Sequence, residues 1–317
     1  MRFKEALDLT RAAALAVAFF LLGGLIPVLG LPVMLCAPVP ILIHVLGRSR
    51  PYRRLAAALV LTLILIGMVA GPVQGLGFGL SLGLATVVMT IMLRRQWSFE
   101  LIVFATTAAM AAAAAAALLI WAGSPAALAR QIHHSVASAM SQSALMYEKL
   151  GMSQADSKQI GDRVLDVTER LLPALAAMLG ALAVLVNLGL VARWLGKEKI
   201  GYQLFGGLVT WRTPEWLIWL LLASGFGMFL PLEAVRLAAI NGFVLVASIY
   251  FCQGLAIMAY YLQMLAMPRV VRGTIYVIAL FQPVLAALVC LAGVFDMWID
   301  FRRLKPPSQE AGLDDFF

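Results

Sequence analysis

Gly71-Pro72-Val73-Gln74-Gly75-Leu76-Gly77-Phe78-Gly79-Leu80-Ser81-Leu82-Gly83 opens an apolar segment that runs to Leu93 without a charged residue. Gly71, Gly75, Gly79 and Gly83 recur every fourth residue, a spacing that clears one face of a helix over three turns. In water each such glycine would cost about 1 kcal/mol relative to alanine. In a bilayer the balance differs, because lipid already satisfies apolar side chains and close backbone packing drives helices together. Residues 72–93 are therefore expected to form a central transmembrane helix with these four glycines as its packing face. A phosphate-cradling loop is excluded: no strand precedes the glycines and no basic residue follows until Arg94.

Working outward, the 317-residue chain is 62% apolar and 13% charged, with a mean hydropathy of +0.93. A soluble domain carries about 25% charged residues. Several charge-free stretches of 18 residues or more read as membrane spans, and backbone groups in lipid must bond within a helix or a closed barrel. Leu/Ala-rich runs of this length do not alternate as barrel strands do. The fold class is all-α, a polytopic transmembrane bundle.

Nine spans are expected: 12–29, a short proline-broken crossing at 31–46, 55–70, 72–93, 99–122, 171–191, 214–230, 237–264 and 274–294. Pro27, Pro32, Pro38 and Pro40 cannot share one straight helix. Irregular backbone at membrane depth survives only under protein or beside a wet cavity, so this crossing is a candidate cavity wall. Between the fifth and sixth spans, residues 123–170 are polar. Ser124-Pro125 and Ser153-x-x-Asp156 are helix-start signals. They predict amphipathic helices at about 125–150 and 154–170, lying on or capping the bundle. This loop holds five basic and five acidic residues and is expected outside.

The net charge of +8 is spread in short basic clusters between apolar runs. That is the positive-inside pattern of membrane orientation, and nothing points to nucleic acid. The expected arrangement is multi-pass, with the N-terminus inside and uncleaved. Nine spans place 15 of the 24 Lys/Arg residues inside but leave Arg302, Arg303 and Lys305 outside. Either the tail lies on the outer surface or a late segment fails to cross. Three domains follow: residues 1–195, residues 196–304 and a disordered acidic tail, 305–317.

Polar residues inside spans are functional candidates because they are expensive there. Gln74, Asn241, Gln253 and His44 are the candidate ligand-binding set. Asn187, Gln263 and Gln282 share the setting, and Glu233 with Arg236 reads as a local ion pair. Each amide also has a plain alternative, as a hydrogen-bond link between helices. Cys36, Cys252 and Cys290 lack metal-ligand spacing, and adjacent His133 and His134 point to different faces. No metal and no cofactor is expected. With no nucleophile elbow, HExxH, Walker lysine or paired intramembrane acids, the chain reads as a non-enzyme.

Asn241, the run Gln253-Gly254-Leu255-Ala256 with Tyr260, and Phe295-Asp296-x-Trp298-x-Asp300-Phe301-Arg302-Arg303 resemble the YybS-like family of bacterial membrane proteins, whose function is not established. Residues 12–93 resemble the start of the S components of energy-coupling-factor transporters. The shared features are the Ala-rich first helix, Pro38-x-Pro40 and the Gly71-Pro72 hairpin. The second resemblance implies a six-helix domain that binds a small solute from outside and lacks its own ATPase. It also implies that Ala12 and Ala16 contact a coupling subunit. Asp296, Trp298, Arg302 and Arg303 are interaction candidates carried by the closing motif. Two functions are expected on these grounds: a ligand-binding or transport-related membrane subunit, or a non-catalytic scaffold acting through its outer loop or basic inner loops. Convergence of Gln74 and Asn241 on one cavity would favour the first, and scattered amides each satisfied by a neighbouring helix the second. Lipid, a protein partner and a small-molecule ligand are the partners so implied.

Overall fold

The computed structural model describes residues 3–25, 30–47, 51–149, 153–195 and 211–302. Helices are the regular elements among the described residues, with no strand. The chain is an all-α polytopic bundle. Among the described residues six helices are long and apolar enough to cross a membrane, and a seventh is added if one bent pair counts as a span. The chain divides into two compact units, Met1–Leu204 and Phe205–Phe317. The expected acidic tail, 305–317, lies outside the described residues.

In the first unit α1 (Phe3–Leu25) packs on α2 (Leu31–Leu35), α3 (Pro38–Leu46) and α4 (Pro51–Ala70). The short crossing is broken as its prolines dictate. Pro32 and Pro38 each stand in the first turn of a helix, where the missing N–H costs nothing. Its expected role as a cavity wall gives way to packing, because Leu35, Ala37, Val39, Ile41 and Leu42 are all buried. The break survives because protein covers it. Asn187 donates from Nδ2 to the Leu35 carbonyl at 2.7 Å, satisfying a group that the end of α2 leaves free. Arg94 does the same for α3, donating to the carbonyls of Val45 at 3.1 Å and Leu46 at 2.9 Å.

The glycine span is α5 (Pro72–Phe78), a π-helical turn (Gly79–Gly83) and α6 (Leu84–Arg94). Its four glycines serve three purposes rather than one groove. Gly71 takes φ +102°, a conformation that reverses the chain ahead of Pro72. Gly75 and Gly79 face α4. A Cβ on Gly75 would stand 3.2 Å from the Leu63 carbonyl oxygen and 3.3 Å from the Gly67 Cα, and one on Gly79 would stand 3.0 Å from the Leu63 side chain. The π turn rotates Gly83 out of that series, and its Cβ would meet the Phe78 carbonyl oxygen of the same segment at 3.2 Å.

After α7 (Phe99–Ala122), Gly123 closes the helix in the left-handed region. Ser124 then accepts the Ala127 N–H at 3.2 Å and starts α8 (Pro125–Lys149). Ser153 accepts the Asp156 N–H at 3.1 Å and donates its hydroxyl to the same residue's carboxylate at 2.7 Å, a serine N-cap at the start of α9. Both starts match the sequence signals. The helix that follows differs, because 154–170 and 171–191 are one element, α9 (Gln154–Leu195). Pro173 lies inside it without ending it.

The second unit holds α10 (Leu217–Gly227), α11 (Glu233–Met264), α12 (Arg269–Phe281) and α13 (Pro283–Ile299). The expected straight span 274–294 does not exist. α12 and α13 meet at a bend of 99°, where Gln282 turns extended and its Oε1 accepts the Leu285 N–H at 3.0 Å. α10 is shorter than the expected 214–230. The closest glycine contacts among the described residues lie here, not in the run at 71–83. A Cβ on Gly254 would fall 1.9 Å from the Val289 carbonyl oxygen, and one on Gly293 would fall 2.0 Å from that of Tyr250.

Candidate functional site

The densest buried polar cluster of the described residues lies in the second unit and is built by α11, α13 and the strands of chain that lead into α10 and out of α13. Gln253 on α11, Asp296 on α13 and Arg302 beyond it are all essentially without solvent exposure. Asp296 Oδ2 accepts from Arg302 Nη2 at 2.7 Å and from Gln253 Nε2 at 3.0 Å. Gln253 turns its Oε1 the other way, accepting the Thr213 N–H at 3.1 Å and the Thr213 hydroxyl. Arg302 Nη1 donates to the Trp211 carbonyl at 2.9 Å. Around this centre Arg212 pairs with Asp300, and the Tyr261 hydroxyl donates to the Phe301 carbonyl at 2.8 Å.

Local chemistry explains the arrangement. Asp300 adopts φ 46°, which ends α13 and throws the chain back so that Arg302 reaches the carboxylate six residues earlier. Aspartate tolerates that conformation better than most residues. A buried charge is stable only when paired and hydrogen-bonded. The amide of Gln253, having both donor and acceptor ends, is the residue type that can join a carboxylate to a backbone N–H. Asp296 Oδ1 has no hydrogen-bond partner among the described residues. The cluster presents no nucleophile beside a base, and no group of three or more His, Cys, Asp or Glu able to hold a metal occurs among the described residues. Its geometry is that of a clamp which fastens three chain segments at one end of the unit.

The other predicted residues do not join it. Asn241 is buried twelve residues earlier on α11 and donates to the Leu237 carbonyl of its own helix at 2.9 Å. Gln74 and His44 belong to the first unit. Gln74 is exposed at the start of α5, and His44 is buried in the last turn of α3. Ala12 and Ala16 are also buried, Ala16 against Ile41, Val45, Leu55 and Ala58. Ala16 thus packs in the unit's own core, and Asp296 and Arg302 are buried in the second unit. Trp298 is 63% exposed, and Arg303 lies outside the described residues.

Sequence reasoning missed Thr213, Arg212 and the pairing of Tyr261 with Phe301. No spacing could have signalled contacts across 40 residues (Gln253 to Thr213) or 88 residues (Arg212 to Asp300). The only available sign was that Arg212 and Asp300 flank apolar segments.

A family model described as predicted membrane protein, DUF2232, matches residues 14–297. No curated protein and no solved structure matches the chain.

Proposed function

The chain belongs to the DUF2232 family of predicted membrane proteins, and from that premise we propose that it is a non-catalytic membrane scaffold whose α8–α9 hairpin engages a protein partner outside the lipid. The supporting observation is how the buried amides are used. Asn187 bonds the Leu35 and Ala183 carbonyls, Asn241 the Leu237 carbonyl, and Gln253 both Thr213 and Asp296. Asn187 and Gln253 thereby join separate segments of their own unit, while Asn241 bonds within its own helix. Interhelical amides that serve as links are expected to behave as the first two do.

The hairpin supplies the surface. At 1.5 Å per residue α9 is roughly 63 Å long, about twice the hydrocarbon thickness of a bilayer. Its polar first half therefore stands clear of the lipid core. His133 on α8 meets Glu169 on α9 at 2.7 Å and ties the two helices. Ile160, Val164 and Val167 form an exposed apolar stripe on that half. The balance of acids and bases in 123–170 gives no net attraction to an anionic lipid surface, which suits a protein partner better. In this reading the protein resides in a bacterial inner membrane with its N-terminus inside and the hairpin outside.

A transport-related, ligand-binding subunit is the second reading. One feature favours it: the π turn at Gly79–Gly83 interrupts the glycine span, and such turns recur at functional sites.

In-membrane cross-linking of the full chain followed by mass spectrometry separates the two. The scaffold reading expects a protein cross-linked through α8 or α9 that is lost in Val164→Glu/Val167→Glu. A retained small molecule that survives those changes, with no hairpin cross-link, would reverse the choice.

A further inference from the structure

We infer that residues 269–299 are a re-entrant pair of helices that enters and leaves the bilayer on the face where α11 ends, so that the C-terminal segment emerges on that same face. The bent pair α12–α13 is open to two readings by length and composition, a broken span or a re-entrant loop. The contacts at its two ends decide between them. α12 begins five residues after Met264, at the C-terminal end of α11. α13 ends at Ile299, and the next two residues return to that same place. The Phe301 carbonyl accepts from Tyr261, three residues before α11 finishes.

A second line of contacts is independent of the first. α10 and α11 form an antiparallel hairpin. Gly227 lies against Ala239 near the turn, Leu217 clusters with Val246 and Tyr250, and Thr213 reaches Gln253. The chain entering α10 is therefore on the side of the unit toward which α11 ends, level with Gln253 about 17 Å from that end. Arg302 donates to the Trp211 carbonyl, and Asp300 pairs with Arg212. Both contacts place the exit of α13 at that entrance.

The middle of α13 supports the same path. Val289 and Gly293 press on Gly254 and Tyr250, positions that lie roughly 15–21 Å back from the end of α11 at 1.5 Å per residue. Beyond that crossing the chain moves toward the end of α11, from Asp296 beside Gln253 to Phe301 beside Tyr261. The dimensions agree. Helices of 13 and 17 residues meeting at 99° put the bend about 17 Å from the line joining their outer ends. That is close to half of a ~30 Å hydrocarbon core. Irregular backbone at such depth must be satisfied locally, and the Gln282 cap on Leu285 does this. Charge follows the same partition. Arg212, Arg269, Arg272 and Arg302 flank the shared end of the unit, while Arg236 flanks the other. By the positive-inside rule the shared end is cytoplasmic.

The test uses the full chain in its own membrane. Cys36, Cys252 and Cys290 are replaced by alanine, and a single cysteine is placed as Met267→Cys or Ser308→Cys. A membrane-impermeant maleimide is then applied to intact cells and to inverted vesicles. Both positions are expected to label only in the vesicles. Labelling of the two from opposite faces would make the segment a span and overturn the inference. Should the cysteine-free chain fail to accumulate, a protease-cleavable tag between Ala266 and Met267, or after Phe317, in the otherwise unchanged protein gives the same decision.

Discussion

Asp296 and Arg302 meet at 2.7 Å across a six-residue reversal of the chain, with neither side chain exposed to solvent. The pair closes one end of the second unit and draws Trp211 and Gln253 onto the same centre. Removing two charges from water costs several kcal/mol per ion, and their attraction offsets this only when hydrogen bonds surround them. The pair is therefore better understood as fixing which segments meet than as adding net stability.

Breaking the pair should then be more harmful than deleting it. Arg302→Met leaves a buried carboxylate uncompensated and is expected to cost about 3–5 kcal/mol. Asp296→Leu combined with Arg302→Met should recover most of that loss. Thermal unfolding in detergent, read by tryptophan fluorescence for the wild type and the two variants, checks it. Equal losses in the single and double variants would refute the account.

Glycine replacements should separate the two seams. Gly293→Ala puts a methyl group 2.0 Å from the Tyr250 carbonyl oxygen, so a backbone must move. Such overpacking costs about 1–3 kcal/mol, and the lack of side-chain give places this site at the upper end. Gly77 meets open space, and Gly77→Ala should be neutral or stabilise by up to about 1 kcal/mol. Unfolding midpoints of the two single variants supply the comparison.

Much of the fold was legible because hydropathy and capping are local. The charge-free runs gave the helical bundle, and Ser124 and Ser153 marked two helix starts that the structure reproduces to the hydrogen bond. What failed depends on partners far along the chain. The break expected between residues 170 and 171 is absent, and α9 continues even through Pro173, because a long apolar helix packed on its neighbours tolerates one lost hydrogen bond. Thr274–Val294 looked like a span by composition, and composition does not register a bend at Gln282-Pro283. At the candidate site, Gln253, Asp296 and Arg302 were each singled out from sequence. Their convergence was not, since side-chain pairing across 43 residues (Gln253 to Asp296) leaves no periodic trace.

The proline-broken crossing gives a further prediction. Asn187 holds the Leu35 carbonyl, a backbone group that α2 alone leaves unpaired. Asn187→Leu keeps the branched outline of the side chain and removes that bond. Amide links between membrane helices average about 0.6 kcal/mol and reach about 1.7 kcal/mol. The loss here should fall in the upper part of that range, because the acceptor has no water to replace the donor. Hydrogen exchange should rise in residues 34–39 of the variant before the rest of the unit responds. A uniform rise across α1, α4 and α9 would mean that Asn187 acts through general packing instead.

The hairpin can be loosened without touching the spans. Ser153 caps α9 through the Asp156 N–H, and replacing such a cap by alanine costs about 0.5–2 kcal/mol. In the scaffold reading the first turns of α9 stand outside the lipid, so this cost should remain local. Ser153→Ala is therefore expected to raise amide exchange over residues 156–165 while the overall unfolding midpoint stays within about 1 °C, since a locally frayed turn lies at the low-stability end of the molecule. If the hairpin is the partner-binding part, the same variant weakens cross-linking through Ile160 and Val164 but leaves assembly in the membrane unchanged. Unaltered cross-linking despite measurable fraying would place the contact elsewhere on α8–α9.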